Sequence, residues 1–261
     1  MSMSRFVRYA CVFALSASAL FARQAQDSTV QKLVAEGDEF TTKVFDNQKA
    51  LEALQKALVL SPNNYDVLWR VSRSYVDIGE HQPAKSDDEK KKQLETYEKA
   101  LDFANKAVAA NANGTMGYTR RAIASGRIAL FRGVWESLDI VKKTKADIEK
   151  AIELDATNPG AYYVLGRTHA KVSEKPRIVR WPLGLSWASL DEAIKNYEKA
   201  ISLRPGFLMY RLDAARAYVE ADNYAKAKEQ LAAAIAATKQ DEDDDQFRKE
   251  AQELMEKIKN K

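Results

Sequence analysis

Three arginines recur in one setting. Each follows a small residue and stands two before a ring: Ser72-Arg73-Ser74-Tyr75, Gly166-Arg167-Thr168-His169 and Ala215-Arg216-Ala217-Tyr218. A guanidinium offers a planar fork of donors that fits carboxylate or phosphate, and it stacks on aromatic faces. Trp69, Tyr163, Lys171 and Leu212 each lie four residues from one of these arginines, so on helices they share its stripe. This set is read as a surface recognising a peptide or an anionic group. The alternative is that the arginine stems cover apolar surface and keep their heads in water.

A second concentration of chemistry lies at Val172 to Ser189. Lys175, Arg177, Arg180, Trp181, Pro182, Leu183, Leu185 and Trp187 mix basic and apolar groups in a short stretch. Arg180, Trp181 and Trp187 are taken as an interface, with tryptophan at a lipid or protein boundary and the cations on anionic groups. The competing reading tucks the tryptophans into a groove as a plug.

Reaction chemistry is poorly supplied. The two histidines, His81 and His169, are far apart, and Cys11 is the single cysteine. No His-Glu-x-x-His, Cys-x-x-Cys, phosphate-loop or Gly-x-Gly-x-x-Gly string occurs. His169 stands in the ring position of its string and is expected to be packed. His81 lies in a charged stretch and is expected in solvent. The expectation is a binding protein, not an enzyme, with no metal and no cofactor. A formal charge of +4 over 261 residues, evenly mixed, argues against nucleic acid.

The elements that carry these residues are helices. Few glycines and prolines and a 46% hydrophobic share exclude collagen-like, disordered and turn-rich β classes. Alanines seven apart, with a large residue between, recur at Ala50-Leu54-Ala57, Ala193-Tyr197-Ala200 and Ala227-Leu231-Ala234. Looser copies are Ala100-Ala104-Ala107 and Ile148-Ala151. Such stripes let a second helix approach closely. Pro62 and Pro205 stop two of these helices. With Ala161-Tyr162-x-x-Leu165-Gly166 ahead of them, these strings resemble the tetratricopeptide pattern of paired helices. The expected fold is all-α: an α-solenoid of about five helix-turn-helix repeats over 23–240, then an acidic linker and capping helix over 241–261. Two insertions interrupt it, one charged (Glu80 to Lys92) and one at Val172 to Ser189. The acidic run Asp241 to Asp245 is read as a helix cap.

Residues 67–75, Val-Leu-Trp-Arg-Val-Ser-Arg-Ser-Tyr, precede a charged break and Ala100-Leu101-x-x-Ala104-x-x-Ala107. Later come Leu165-Gly166-Arg167, Arg180-Trp181-Pro182-Leu183-Gly184 and Ser189-Leu190-x-Glu192-Ala193. Together they resemble the regulator of microtubule dynamics family over roughly Gln31 to Ala234. The resemblance implies an all-helical adaptor, with a phospholipid as an alternative cargo.

Residues 1–22 read as a secretory signal: Arg5 and Arg8, an apolar run, then small residues around Ala17 to Ala22. Its removal would take two of the 41 basic residues and none of the 37 acidic ones. The expectation is therefore an exported, periplasmic or secreted scaffold with no transmembrane segment after the signal. It would hold a protein or peptide partner in its groove, or an anionic lipid.

Overall fold

A computed structural model describes residues 24–133 and 137–261. The signal expected at 1–22 lies outside the described residues. The first hairpin pairs α1 (24–39), which runs on into a π-helical turn at Phe40–Val44, with α2 (Asn47–Leu60). Next come α3 (Tyr65–His81) with α4 (Asp87–Ala110), and α5 (Thr115–Arg132) with α6 (Leu138–Leu154). The fourth hairpin pairs α7 (Pro159–Ser173) with α9 (Leu190–Leu203), and the short α8 (Arg177–Arg180) lies between them. The fifth is α10 (Leu208–Glu220) with α11 (Tyr224–Ala236), and α12 (Asp244–Lys257) covers the last repeat. The fold is the expected α-solenoid, with no strand among the described residues.

Local chemistry sets the boundaries. The first N–H groups of a helix have no intrahelical acceptor, so a polar side chain ahead of them is favoured. Asn64 accepts from the N–H of Asp66 and Val67, Asn158 from Ala161, and Ser189 from Glu192. The charged insertion at 80–92 is absorbed by α3 and α4, and a reciprocal capping box between Ser86 and Glu89 starts the longer α4.

The alanine stripes lie in the core. Ala50, Ala57, Ala100, Ala107, Ala151, Ala193, Ala200, Ala227 and Ala234 are all fully buried. Gly166 shows why the small position matters: a Cβ there would stand 2.8 Å from the Tyr197 ring and 3.1 Å from the Ala193 carbonyl. In α3 the same place holds Ser72, whose buried hydroxyl donates to the Ala100 carbonyl at 2.8 Å. Neighbouring repeats are joined by Asn158, which donates to Thr115 and Thr119 at 2.9 and 3.0 Å.

The acidic run does more than start a helix. Asp244 is fully buried and accepts from the backbone N–H of Gln240 and Asp241, which fixes the turn into α12. Asp243 makes no capping bond to its own helix. It reaches instead to His81, at 2.9 Å, and Glu242 accepts from Asn47 at 2.6 Å. The last repeat is thus tied to the first two, and the superhelix closes on itself. His81 is exposed, as expected, and it is also paired. Its Nδ1 meets the Asp77 carbonyl at 2.7 Å and its Nε2 the Asp243 carboxylate. Both partners only accept, so both ring nitrogens carry protons.

Candidate binding cavity

The superhelix lines a central cavity of about 730 Å³ that is open to solvent. Its wall follows helical spacing. Arg73, Val76, Asp77 and Glu80 line it from α3, and Met116, Arg120, Ile123 and Arg127 from α5. Tyr163, Val164, Arg167 and Lys171 face it from α7, and Tyr210, Asp213 and Arg216 from α10. Each set recurs every three or four residues, which is one face of a helix. The first helix of each pair makes most of the inner wall.

The structure brings together Arg73, Tyr163, Arg167, Lys171 and Arg216 on this wall, as the repeat strings suggest. Trp69 and Leu212 are placed elsewhere. Leu212 is buried in the core of the last repeats, and Trp69 packs with Leu68 and Ala107. Of the large residues four before these arginines, Tyr163 shares the wall with Arg167, while Trp69 and Leu212 lie in the packing between helices. Trp69 lies under a group of cations instead: the guanidinium carbons of Arg70, Arg73 and Arg120 stand 4.0, 5.7 and 5.8 Å from its ring.

The three recurring arginines already have partners. Arg73 donates to Asp38 at 2.9 Å and to Thr41 at 3.1 Å. Asp213 accepts from Arg216 at 2.7 Å and from the Tyr163 hydroxyl at 2.8 Å, and it lies 3.7 Å from Arg167. Arg127 pairs with Glu80. Arg120 combines two features: it has no carboxylate partner among the described residues, and its buried Nε, like that of Arg73, has no hydrogen-bond partner. Burial and the neighbouring Arg73 pull its pKa down to about 10, so it stays charged. Across from it, burial pushes the Asp77 carboxyl up to about 7, against the pull of Arg120 and Arg73. Glu80 and Asp241 push it the same way as burial.

Sequence reasoning missed Arg120 and Asp77. In the repeat register Arg120 takes the place of Arg70, Val164 and Asp213, a position with no common chemistry. The available signal was its place between Met116, Ile123 and Arg127 at helical spacing.

The second concentration of chemistry divides. Arg180, expected at an interface, is buried. Its guanidinium donates to the carbonyls of Lys175, Leu185 and Ala188 at 2.7, 2.9 and 2.7 Å. Three carbonyls in a loop without a ladder need donors, and one fork supplies them. Trp187 is half-buried, edge-on to His169 with ring centres 5.0 Å apart. It packs outside the central cavity, so it neither plugs the groove nor faces a partner freely. His169 is packed as expected, and burial holds its pKa below the usual value. Trp181 stands in solvent, 71% exposed.

Among the described residues no cluster of histidine, cysteine or carboxylates could hold a metal, and no helix is long and apolar enough to cross a membrane.

Comparison with known proteins fits this architecture. The chain is similar to a thermophilic TPR protein of Thermus thermophilus, with a TM-score of 0.64 and 17% identity over 86% of this chain and 100% of that one. It is also similar to pilF of Pseudomonas aeruginosa, with a TM-score of 0.55 and 12% identity, covering 90% and 93%. These two likenesses concern the fold. In sequence it is 30% identical over 202 residues to regulator of microtubule dynamics protein 3 of Bos taurus, which is 72% of this chain and 40% of that protein. It is 26% identical to regulator of microtubule dynamics protein 1 of Mus musculus, over 73% of this chain and 63% of that protein. The chain thus spans only part of the length of the relatives it matches. The family profile for regulator of microtubule dynamics protein 1-3 matches residues 33–259. On that match, which runs from within the first hairpin through the closing helix, the chain belongs to the regulator of microtubule dynamics family.

Proposed function

We propose that this protein is a non-catalytic, exported scaffold that holds a segment of a partner protein in its central cavity. An acidic group of that segment meets Arg120. The observation that carries this reading is a charged guanidinium in the cavity wall with a buried, unbonded Nε and no carboxylate partner among the described residues. A carboxylate would give it charge-assisted bonds that its neighbours do not provide. Tyr163 and Tyr210, stacked with ring centres 4.7 Å apart, add a rigid aromatic wall for the rest of the segment.

The reading is tested by selecting from a displayed peptide library on the wild-type protein and on Arg120→Gln. The wild type is expected to enrich peptides with an acidic consensus, and R120Q to weaken their affinity about tenfold or more by fluorescence anisotropy. Failure to enrich any peptide, or equal affinity for both proteins, would overturn it. Binding also strengthens as pH falls through about 7, where the Asp77 carboxyl takes its proton and no longer competes for Arg120. Asp77→Asn removes that dependence.

An anionic amphiphile is the second reading. The apolar part of the wall, Met116, Ile123, Leu130, Val164 and Met209, favours it, because a chain could lie there with its head at Arg120. Native mass spectrometry of the purified protein separates the two: a co-purifying lipid supports the amphiphile, and its absence leaves the peptide. Intact mass of the protein recovered outside the cytoplasm tests export and shows whether residues 1–22 are removed.

A further inference from the structure

We infer that the loop Lys175–Leu183 is a docking surface for an anionic lipid bilayer. Six large apolar side chains are exposed among the described residues. Three of them, Ile178, Val179 and Trp181, fall within four residues, at 83%, 49% and 71% exposure. Exposure so concentrated marks an interaction site, whereas scattered apolar residues need no explanation.

The projection is rigid. Arg180 is buried beneath it and its three carbonyl bonds hold both ends of the loop together. Gly184 closes the following 3₁₀ turn with a φ of +70°, a conformation that glycine adopts without strain. An apolar knob on a fixed base loses little entropy when it inserts.

Charge chooses the partner. Lys175 and Arg177 flank the knob and have no carboxylate partner among the described residues, while the one acid beside them, Glu174, is paired with Lys171 at 2.8 Å. Lys142 lies next to Gly184, with its Nζ 3.7 Å from where a Cβ there would be. Tryptophan and isoleucine set among unpaired cations fit a headgroup boundary: the rings and chains enter the acyl edge and the cations stay on anionic headgroups. Ile178, Val179 and Trp181 do not line the central cavity, so this surface stands apart from whatever the cavity holds.

Co-sedimentation with phosphatidylcholine vesicles, with and without phosphatidylglycerol, tests the inference. The wild type is expected to partition onto the anionic vesicles only, and to leave them as salt rises. Ile178→Ser/Trp181→Ser should lower that partition at least about tenfold, and Lys175→Glu/Arg177→Glu about thirtyfold. All four positions are exposed, so the fold is retained, which circular dichroism checks. With bromine-labelled lipid, the wild-type fluorescence should be quenched, and Trp181→Phe should bind but lose the quenching. Absence of partition, equal partition of the double variants, or quenching that persists in W181F would overturn the inference. So would a dimer, seen by sedimentation velocity, that I178S/W181S dissociates, because the knob would then cover a second copy.

Discussion

At the residue scale, what matters is which polar groups are satisfied from within. Arg180 and Arg120 are the same side chain with opposite fates. Arg180 answers three loop carbonyls, so its charge serves the fold. Arg180→Ala would leave the Lys175 and Ala188 carbonyls without a donor and Leu185 with only the long bond from the Ala188 N–H, at a cost of roughly 2–4 kcal/mol. Hydrogen exchange of residues 175–188 should speed up in that variant while α3 and α4 stay protected. Uniform loss of protection across the chain would show that the loop is not a separate unit. Arg120 answers nothing among the described residues, which is why the function is placed there. The three arginines visible by repetition differ from it, because Asp38 and Asp213 already bind them. Repetition marks what each repeat needs for itself, and the group proposed to meet the ligand comes from the repeat that departs from the pattern.

At the element scale, the hairpin rests on close helix contact at one small residue. The separation of α7 and α9 is set by Gly166 against Tyr197 and the Ala193 backbone. Gly166→Ala should cost about 1–3 kcal/mol, because the new methyl stands against backbone as well as a ring that has little room to move. Equilibrium unfolding in urea measures it, and an unchanged midpoint would mean that α9 shifts freely. Helices, stripes and caps were legible in the sequence, since they depend on spacing and on the residues just before each helix. The third unit has no glycine at its small position and no proline two residues after α6, yet α5 and α6 form an ordinary hairpin. Ala122 does there what Gly166 does in α7, and Asn111 and Asp155 end α4 and α6 without help from proline.

At the scale of the whole molecule, the contact between His81 and the acidic linker converts an open solenoid into a closed one. Burial opposes the His81 cation, but the Asp77 carbonyl, Asp243 and Glu242 outweigh it, and its pKa rises to about 9. The sign follows. A group whose pKa is higher when closed favours closure fully below its open-state value of about 6.5, and that contribution is lost as pH rises through about 9. The groups facing His81 are Asp243 and Glu242 from the linker and Asp77 one helical turn back. Small-angle scattering should therefore show the radius of gyration growing between these pH values, and His81→Gln should show the larger value already at neutral pH. A variant profile that tracks the wild type would exclude the latch. The sequence by itself determined the class of fold, the alanine contacts, most of the inner arginine wall and the lack of catalytic motifs, because each follows from neighbours within a few residues or from the repeat. Only the tertiary structure decided that Asp243 meets a histidine 162 positions away, that Arg180 turns inward while Trp181 turns out, and that Arg120 is left with an unbonded Nε. Those outcomes depend on how superhelical curvature brings distant repeats together, and no local spacing encodes that curvature.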